Sequence, residues 1–263
     1  MKSIRVVAAI IKDKDKILAT KRSYGEFKGG WEFPGGKIEE GEDKKTALIR
    51  EIKEELNANI KINSYFATID YTYPNFHMIM DCYICSIDDF VINEEIHDEA
   101  KWLTKDELDS VNWLAADEKI VNKLKIYLSS KIAVSACLLG DNCRYNGKNN
   151  YNEEIEHLLK DKEVYKICPE VLTGLSIPRK PVEIKDNKVI TQDNEDMTEI
   201  FLHGVDMAWE KLKDKNIDLA ILKANSPTCG SKTFSHTLVE GNGLFAKLLK
   251  DNKIMVISEK DIE

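Results

Sequence analysis

The segment from Gly36 to Ala58, GKIEEGEDKKTALIREIKEELNA, restricts the possible folds of this chain more than any other segment. Its spacing predicts a helix on which Glu51, Glu54 and Glu55 occupy positions i, i+3 and i+4, within an arc of about 100° on one face. A second, apolar stripe is formed by Leu48, Ile52 and Leu56. Such a helix packs on a sheet through its apolar side and presents carboxylates on the other.

Three crowded carboxylates repel one another unless a cation neutralises them. Mg²⁺ and Mn²⁺ prefer oxygen ligands and can bridge from carboxylates to the phosphates of a substrate. Gly35, Gly36 and Gly41 lie ahead of the helix and supply the sharp turns that fold a loop against its start. An arbitrary E-x-x-E-E cluster is more often the solvated face of a surface helix, so the surrounding residues decide between the two interpretations.

The whole frame matches G-x₅-E-x₇-R-E-U-x-E-E-x-G-U, the signature of the Nudix hydrolases. The fixed positions are filled by Gly36, Glu42, Arg50, Glu51, Ile52, Glu54 and Glu55. Asn57 stands where that family has glycine, and asparagine is the next-best residue for a left-handed helix end. The resemblance covers about residues 1–128, and WEFPGGKIEEGE, YTYPNFHMIMDCYIC and WLAAD are similar to the MutT and CTP-pyrophosphohydrolase branch.

The resemblance implies an enzyme that hydrolyses a nucleoside triphosphate to the monophosphate and pyrophosphate. Water would attack phosphorus while metal ions offset the charge that develops. The implied Mg²⁺ or Mn²⁺ site consists of Glu51, Glu54, Glu55 and Gly36. Arg50 would orient the glutamates through a salt bridge, and Arg22 is either a phosphate contact or an ordinary surface arginine.

Other residues of the first half are candidates for substrate or metal contacts. Asp117 stands where MutT-like enzymes place a base-reading side chain, and a carboxylate suits an exocyclic amine such as that of cytosine. A helix N-cap is an equally good role for this residue. Glu95 and Glu99 are candidates for a further metal ligand or base, whereas Cys82 and Cys85 are predicted to be small core residues.

Three cysteines of the second half, Cys137, Cys168 and Cys229, each follow a predicted strand. Predicted strands alternate with predicted helices, in the order Ile132–Ser135, Glu153–Lys160, Glu163–Ile167, Met197–Lys215, Ile217–Leu222, Gly243–Asp251 and Ile254–Ile257. This alternation indicates a parallel sheet, whose strands end at one edge, so the three thiols should converge there. They form a zinc or iron–sulfur site, with Cys143 as a fourth thiol, or they are unrelated buried cysteines.

Three motifs of the second half, SACLLGDNCRYNG, CPEVLTGLSIPRKPVEI and ILKANSPTCG, resemble the TudS-type thiouracil desulfidases. The resemblance covers nearly all of residues 131–263 and implies a [4Fe-4S] cluster with one iron left open for the sulfur of a thiocarbonyl. The implied ligands are Cys137, Cys168 and Cys229. Glu170 would act as general base for water, and Ser226 would donate a hydrogen bond or relay a proton.

For four further residues of the second half, the sequence allows two different roles each. Cys143 is a fourth ligand or a neighbouring thiol. Arg144, Arg179 and Lys180 would hold a phosphate if the substrate is a nucleotide, although each alone is as well explained as a solvated charge. Net exchange of sulfur for oxygen requires no electrons, so no obligate redox partner is implied.

Length and composition fit two α/β domains. At 263 residues the chain is long for one domain, and we predict a boundary at Ser129–Ser130, between residues 1–129 and 130–263. The first would be a Nudix α/β/α sandwich with a mixed sheet, and the second would have a mainly parallel sheet. The net charge of −8 argues against a nucleic-acid polymer as partner, and no apolar stretch is long enough to cross a bilayer. We expect a cytoplasmic location with reduced cysteines.

Together these patterns predict a bifunctional enzyme for small-molecule nucleotides. The first half would convert a modified pyrimidine nucleoside triphosphate, including thiolated ones, to its monophosphate. The second would remove sulfur from thiouracil or a thiouridine nucleotide. The alternative is a housecleaning pyrophosphohydrolase for CTP-like or oxidised nucleotides, with the second half as a non-catalytic metal-binding module.

Overall fold

The computed structural model describes residues 1–231, 233–234 and 239–262, and it divides the chain into two compact units. The first unit comprises Met1–Val121 and the second comprises Asn122–Glu263. Among the described residues, no helix is long and apolar enough to cross a membrane. The division falls within one helix, and the predicted boundary at Ser129–Ser130 stays a prediction.

The first unit is built on a seven-stranded sheet. Its strands are β1 (Lys2–Asp13), β2 (Lys16–Arg22), β3 (Trp31–Glu32), β4 (Gly35–Lys37), β5 (Ile60–Thr72), β6 (Phe76–Ile87) and β7 (His97–Thr104). The main order is β3-β2-β1-β6-β5, with β4 paired to β1 and β7 paired to β2. The sheet is mixed because β1 and β6 are parallel whereas the other pairs are antiparallel. The predicted mixed sheet is therefore confirmed.

The glutamate-rich segment forms helix α1 (Lys44–Leu56). Asp43 caps its start by accepting hydrogen bonds from the backbone N–H groups of Lys45 and Thr46. Asn57 ends it in the left-handed conformation, at φ 47° and ψ 34°, which confirms that asparagine can replace the glycine of the signature. The predicted apolar stripe is fully buried and packs against β1 residues such as Val7. Cys82 and Cys85 are also fully buried, as predicted.

A 3₁₀ turn at Lys105–Ser110 leads to helix α2 (Ala115–Leu128), within which the second unit begins. Its central sheet contains β8 (Lys131–Ser135), β9 (Glu163–Ile167), β12 (Leu219–Leu222) and β15 (Met255–Ser258), in the order β15-β12-β8-β9. All its neighbouring pairs are parallel, so the predicted parallel sheet is confirmed. The main helices are α3 (Glu153–Leu158), α4 (Pro169–Leu172), α5 (Thr198–Leu212), α6 (Leu244–Asp251) and α7 (Glu259–Ile262).

Two short hairpins of the second unit were not predicted. They pair β10 (Val182–Lys185) with β11 (Lys188–Thr191), and β13 (Thr233–Phe234) with β14 (Val239–Glu240). The first turns at Asp186 and Asn187, which have φ of 48° and 61°. Two successive positive φ angles are the requirement of a tight type I′ hairpin turn, and the Asp-Asn pair was the sequence signal for it.

Candidate functional sites

The first candidate site forms where the glycine loop meets α1. The backbone N–H of Gly35 donates to Oε2 of Glu55 at 2.8 Å. A methyl group on Gly36 would lie 2.4 Å from the carboxyl carbon of Glu51, so only glycine lets this carboxylate approach the backbone so closely. The loop thus brings β4 and two of the predicted metal ligands together.

We expect Gly36→Ala to reduce pyrophosphohydrolysis by roughly 10²-fold, since a displacement of about 1 Å at a reacting centre has an effect of that size. The added Cβ must push the Glu51 carboxylate out of its place. Pyrophosphate release at saturating Mg²⁺ measures the effect. Gly25→Ala is the comparison for a strained loop backbone without a collision, because its φ is 74° and nothing lies within 4 Å of a Cβ there. Equal activity in both variants would contradict the expectation.

Arg50 contacts the predicted metal carboxylates. Its guanidinium donates to Glu51 at 2.9 Å, to Glu42 at 2.9 and 3.0 Å and to the carbonyl oxygen of Lys37 at 3.0 Å. Glu54 lies 3.5 Å away. These hydrogen bonds raise the pKa of Arg50, led by the bond to Glu42, whereas burial raises the pKa of Glu51. The arrangement agrees with an orienting role for Arg50.

The donor set of this site suits a hard divalent cation. The side chains of Glu51, Glu54 and Glu55 supply only oxygen ligands. The space left by the missing side chain of Gly36, which we call the Gly36 cradle, lets the Glu51 carboxylate lie against the backbone. Glu55 is buried, whereas the Glu54 side chain is 56% exposed. In the described part of the chain, no three His, Cys, Asp or Glu side chains are close enough to hold a metal ion as they stand.

Two residues at this site were missed by the sequence interpretation. Glu32 is buried and binds Arg22 at 2.9 and 3.2 Å, so this arginine is not a simple surface residue. Burial raises the pKa of Glu32, and the positive charge of Arg22 opposes that rise. His97 is fully buried between Glu32 and Glu55. No local pattern could have revealed it, because its position depends on the pairing of β7 with β2.

Asp117 lies in the first turn of α2 and is buried. Because the helix begins at Ala115, Asp117 does not occupy the N-cap position, and that alternative was wrong. Its Oδ1 instead accepts the backbone N–H of Phe33 at 2.9 Å. Burial, followed by the charge of Glu32, raises the pKa of Asp117 well above its usual range. A role in reading a base stays a prediction.

The glutamates considered for a further metal ligand lie at the start of β7 and before it. Glu95 is exposed, and Glu99 forms an ion pair with Lys101 at 3.0 Å. The structure therefore shows Glu99 engaged in a local surface pair. Neither residue has a described contact with the glutamates of α1.

The second candidate site is a cavity of about 310 Å³ in the second unit. Four cysteines line it: Cys137 in the 3₁₀ turn after β8, Cys168 at the N-cap of α4 after β9, Cys229 after β12, and Cys143. The strands of a parallel sheet end at one edge, which explains why residues so distant in sequence meet here. The predicted general base Glu170 and Ser226 line the same cavity.

The thiols interact with one another. Cys143 lies within hydrogen-bonding reach of both Cys137 and Cys168. The bond from Cys143 lowers the pKa of Cys137, whereas burial raises that of Cys229 well above its ordinary value. Thiols are soft donors that suit iron–sulfur clusters and zinc. Four thiols around one cavity therefore fit either group.

Glu170 is held at three points beside these thiols. Oε2 accepts from Arg179 at 2.5 Å, and Oε1 accepts from Thr228 at 3.1 Å and from Ser226 at 3.4 Å. The Arg179 side chain is only 4% exposed, so its interpretation as a solvated charge was wrong. Thr228 is fully buried and was not singled out in the sequence.

The two other basic residues considered for a phosphate differ from Arg179. Lys180 lines the cavity but is 56% exposed and forms ion pairs with Asp193 at 2.8 Å and Glu195 at 3.2 Å. Arg144 also lines the cavity and lies 5.9 Å from the ring of Tyr145. Both therefore sit at the cavity with a local partner, and phosphate binding by either stays a prediction.

Comparison with known proteins gives a separate assignment for each half. Residues 1–124 match the NUDIX domain family and residues 132–261 match the 2-thiouracil desulfurase family. The uncharacterized protein YbbK of Bacillus subtilis is 39% identical over 146 residues, which span 50% of this chain and 97% of YbbK. The CTP pyrophosphohydrolase of Escherichia coli is 45% identical over 69 residues, 26% of this chain and 51% of that enzyme.

The second half resembles a solved structure. This structure is described as a [4Fe-4S]-dependent thiouracil desulfidase TudS, and it is 34% identical with a TM-score of 0.47. The match covers 51% of this chain and 93% of the other. The two halves thus match two different enzyme families, in the order in which their motifs occur.

Proposed function

Since the chain belongs to the Nudix family over residues 1–124 and to the 2-thiouracil desulfurase family over residues 132–261, we propose that it is a bifunctional enzyme for modified pyrimidines. The first domain hydrolyses a pyrimidine nucleoside triphosphate, including thiolated ones, with Mg²⁺ or Mn²⁺. The second replaces the sulfur of thiouracil or a thiouridine nucleotide with oxygen. Its partners are small molecules, and a reducing cytoplasm keeps its thiols available.

This proposal rests on one observation: four thiols and the hydrogen-bonded carboxylate of Glu170 line the same cavity. Cys137, Cys168 and Cys229 come from the ends of three different parallel strands, and we assign them as the ligands of a [4Fe-4S] cluster. When bound, such a cluster supplies a soft iron site that takes the sulfur of a thiocarbonyl. Cys143, which touches two of these thiols, is assigned as a neighbouring thiol.

Glu170 is the group that moves the proton in the second domain. Its carboxylate takes a proton from water, whose oxygen then bonds to the ring carbon as the carbon–sulfur bond breaks. The second proton of the water passes to sulfur, which leaves as hydrosulfide, so carbon keeps its oxidation state and no electrons are exchanged. Arg179 and Thr228 fix the direction of the carboxylate, and Ser226 donates a hydrogen bond beside it.

In the first domain, the carboxylates of α1 hold the cation that offsets charge on the phosphates. Arg50 restrains Glu51 at 2.9 Å, and the Gly35 N–H restrains Glu55 at 2.8 Å. Asp117 is the residue that we assign to the edge of the base, since it is buried beside Phe33. Arg22, which is held by Glu32 at 2.9 Å, is the residue that we assign to a phosphate contact.

The test of the proposal is the metal content and chemistry of protein purified and reconstituted without oxygen. We expect about four iron and four sulfide per chain, the broad visible absorption of a cluster, and sulfide release from 4-thiouracil compounds. The desulfidase part fails if the protein shows neither cluster absorption nor sulfide release. Zinc in place of iron, with hydrolysis untouched by loss of Cys137, would favour a non-catalytic metal-binding module.

A kinetic panel tests the substrate assignment of the first domain. We expect kcat/KM for thiolated pyrimidine triphosphates to exceed that for UTP and CTP by at least about tenfold, the effect of one favourable contact of about 1.4 kcal/mol. Equal turnover of all these triphosphates would contradict a preference of the first domain for thiolated pyrimidines. That result would favour a housecleaning enzyme for CTP-like nucleotides, in agreement with the name of the relative that is 45% identical over 69 residues.

A further inference from the structure

His97 is a fully buried imidazole beside the candidate metal site of the first unit. Its Nε2 lies 3.3 Å from Oε2 of Glu55, and its Nδ1 lies 3.9 Å from Oε1 of Glu32. Neither nitrogen has a hydrogen bond of good geometry among the described residues, although both carboxylates lie within 4 Å of the ring. Burial of a polar ring without hydrogen bonds lowers the stability of the fold. The position of His97 between two carboxylates therefore needs a functional explanation.

A β-bulge places His97 on this face. In the pairing of β2 with β7, Lys21 is opposite Glu99 whereas Arg22 is opposite His97. Asp98 is therefore the extra residue, and it is exposed. Without the bulge, Asp98 would be opposite Arg22, so the irregularity turns the imidazole toward the site.

The backbone before β7 is tied to the end of α1. The N–H of Asn93 donates to the carbonyl oxygen of Glu55 at 2.8 Å, and the N–H of His97 donates to the carbonyl oxygen of Asn93 at 2.9 Å. Two hydrogen bonds thus connect the backbone of Glu55 to that of His97. The backbone segments that carry the imidazole and the carboxylate are therefore held close together.

We propose that His97 is a positioning residue, which holds Glu55 in the orientation needed to bind the divalent cation and links it to the Glu32–Arg22 pair. Oε2 of Glu55 lies 2.8 Å from the Gly35 nitrogen and 3.3 Å from Nε2 of His97, so both groups act on the orientation of this carboxylate. Groups that restrain a metal ligand in this way affect affinity strongly. The inference rests on the metal binding proposed above for the first domain.

The test is a Mn²⁺ titration of the full chain followed by electron paramagnetic resonance. We expect His97→Asn, whose amide is too short to reach Glu55, to weaken Mn²⁺ binding about 10–100-fold. His97→Gln, whose amide can reach it, should stay within about threefold of the natural protein. His77→Gln is the matched control, because His77 contacts Asp70 at 2.7 Å on another part of the sheet. It should bind Mn²⁺ like the natural protein.

Several outcomes would overturn the assignment. Equal affinity in the Asn and Gln variants would do so, because the inference depends on reach. Nitrogen hyperfine coupling to bound Mn²⁺ would also do so, since it would make His97 a ligand. Thermal melts identify a variant that does not fold, and the Gln variant then carries the comparison with the natural protein. If the natural protein binds no Mn²⁺, the proposed function of the first domain has failed, which is a different result.

Discussion

Cys168→Ala is expected to abolish the iron–sulfur cluster, with iron falling from about four to below about one per chain and sulfide release lost at least about 10³-fold. Cys168 is at the N-cap of α4 and lines the cavity together with Cys143 and Glu170. Once Cys168 is removed, the two assigned ligands that remain, Cys137 and Cys229, cannot retain a cluster. Iron and sulfide analysis, visible absorption and sulfide release on anaerobic protein measure the effect.

The control for this variant is Cys85→Ala, which removes a fully buried cysteine from β6 of the first unit. It should leave iron content and desulfuration unchanged, apart from a modest loss of thermal stability. Pyrophosphohydrolysis should stay within about twofold in the Cys168 variant, since its chemistry resides in the other unit. Retention of a full cluster in Cys168→Ala would contradict the ligand assignment and would point to Cys143 as the third ligand.

Glu55→Gln is expected to lower kcat/KM for pyrophosphohydrolysis by roughly 10²–10³-fold, an effect comparable to loss of a major electrostatic stabiliser. Glutamine has nearly the same shape, but it removes the negative charge that a divalent cation needs. The amide oxygen of the glutamine can still accept a hydrogen bond from the Gly35 N–H. The loop that contains Gly35 and Gly36 should therefore keep its conformation. Initial rates at a series of Mg²⁺ concentrations separate weaker metal binding from slower chemistry.

Glu40→Gln is the matched control, because it makes the same chemical change at an exposed position of the preceding loop. Its rate and its Mg²⁺ dependence should equal those of the natural protein. Desulfuration should be unchanged in both variants. An unchanged Mg²⁺ dependence in Glu55→Gln would show that the cation binds elsewhere.

Much of the fold could be predicted because it depends on local interactions. The period of α1, the N-cap Asp43 and the left-handed Asn57 all act within a few residues, so their signals can be read from the chain. The alternation of strands and helices in the second half predicted its parallel sheet in the same way. The β10–β11 hairpin was missed although its Asp186–Asn187 turn is also local, because the flanking strands are only four residues long.

The surroundings of the candidate sites could be predicted only in part. The spacing of the signature indicated Glu51, Glu54 and Glu55, but not that Glu54 would be 56% exposed. The motif CPE indicated Glu170, but not its contact with Thr228, which lies 58 residues further along the chain. That contact depends on which strands are neighbours in the sheet, and this is a property of the whole domain.

The sequence by itself determined the glutamate-rich helix, its apolar and acidic faces and the residues that end it. These depend on the periodicity and conformational preference of successive residues. It also determined which family signature the segment matches, and that three cysteines follow strands. Only the tertiary structure decided that four thiols share one cavity, and that a bulge turns His97 toward Glu55. These features depend on strand register and long-range packing, which no short segment specifies.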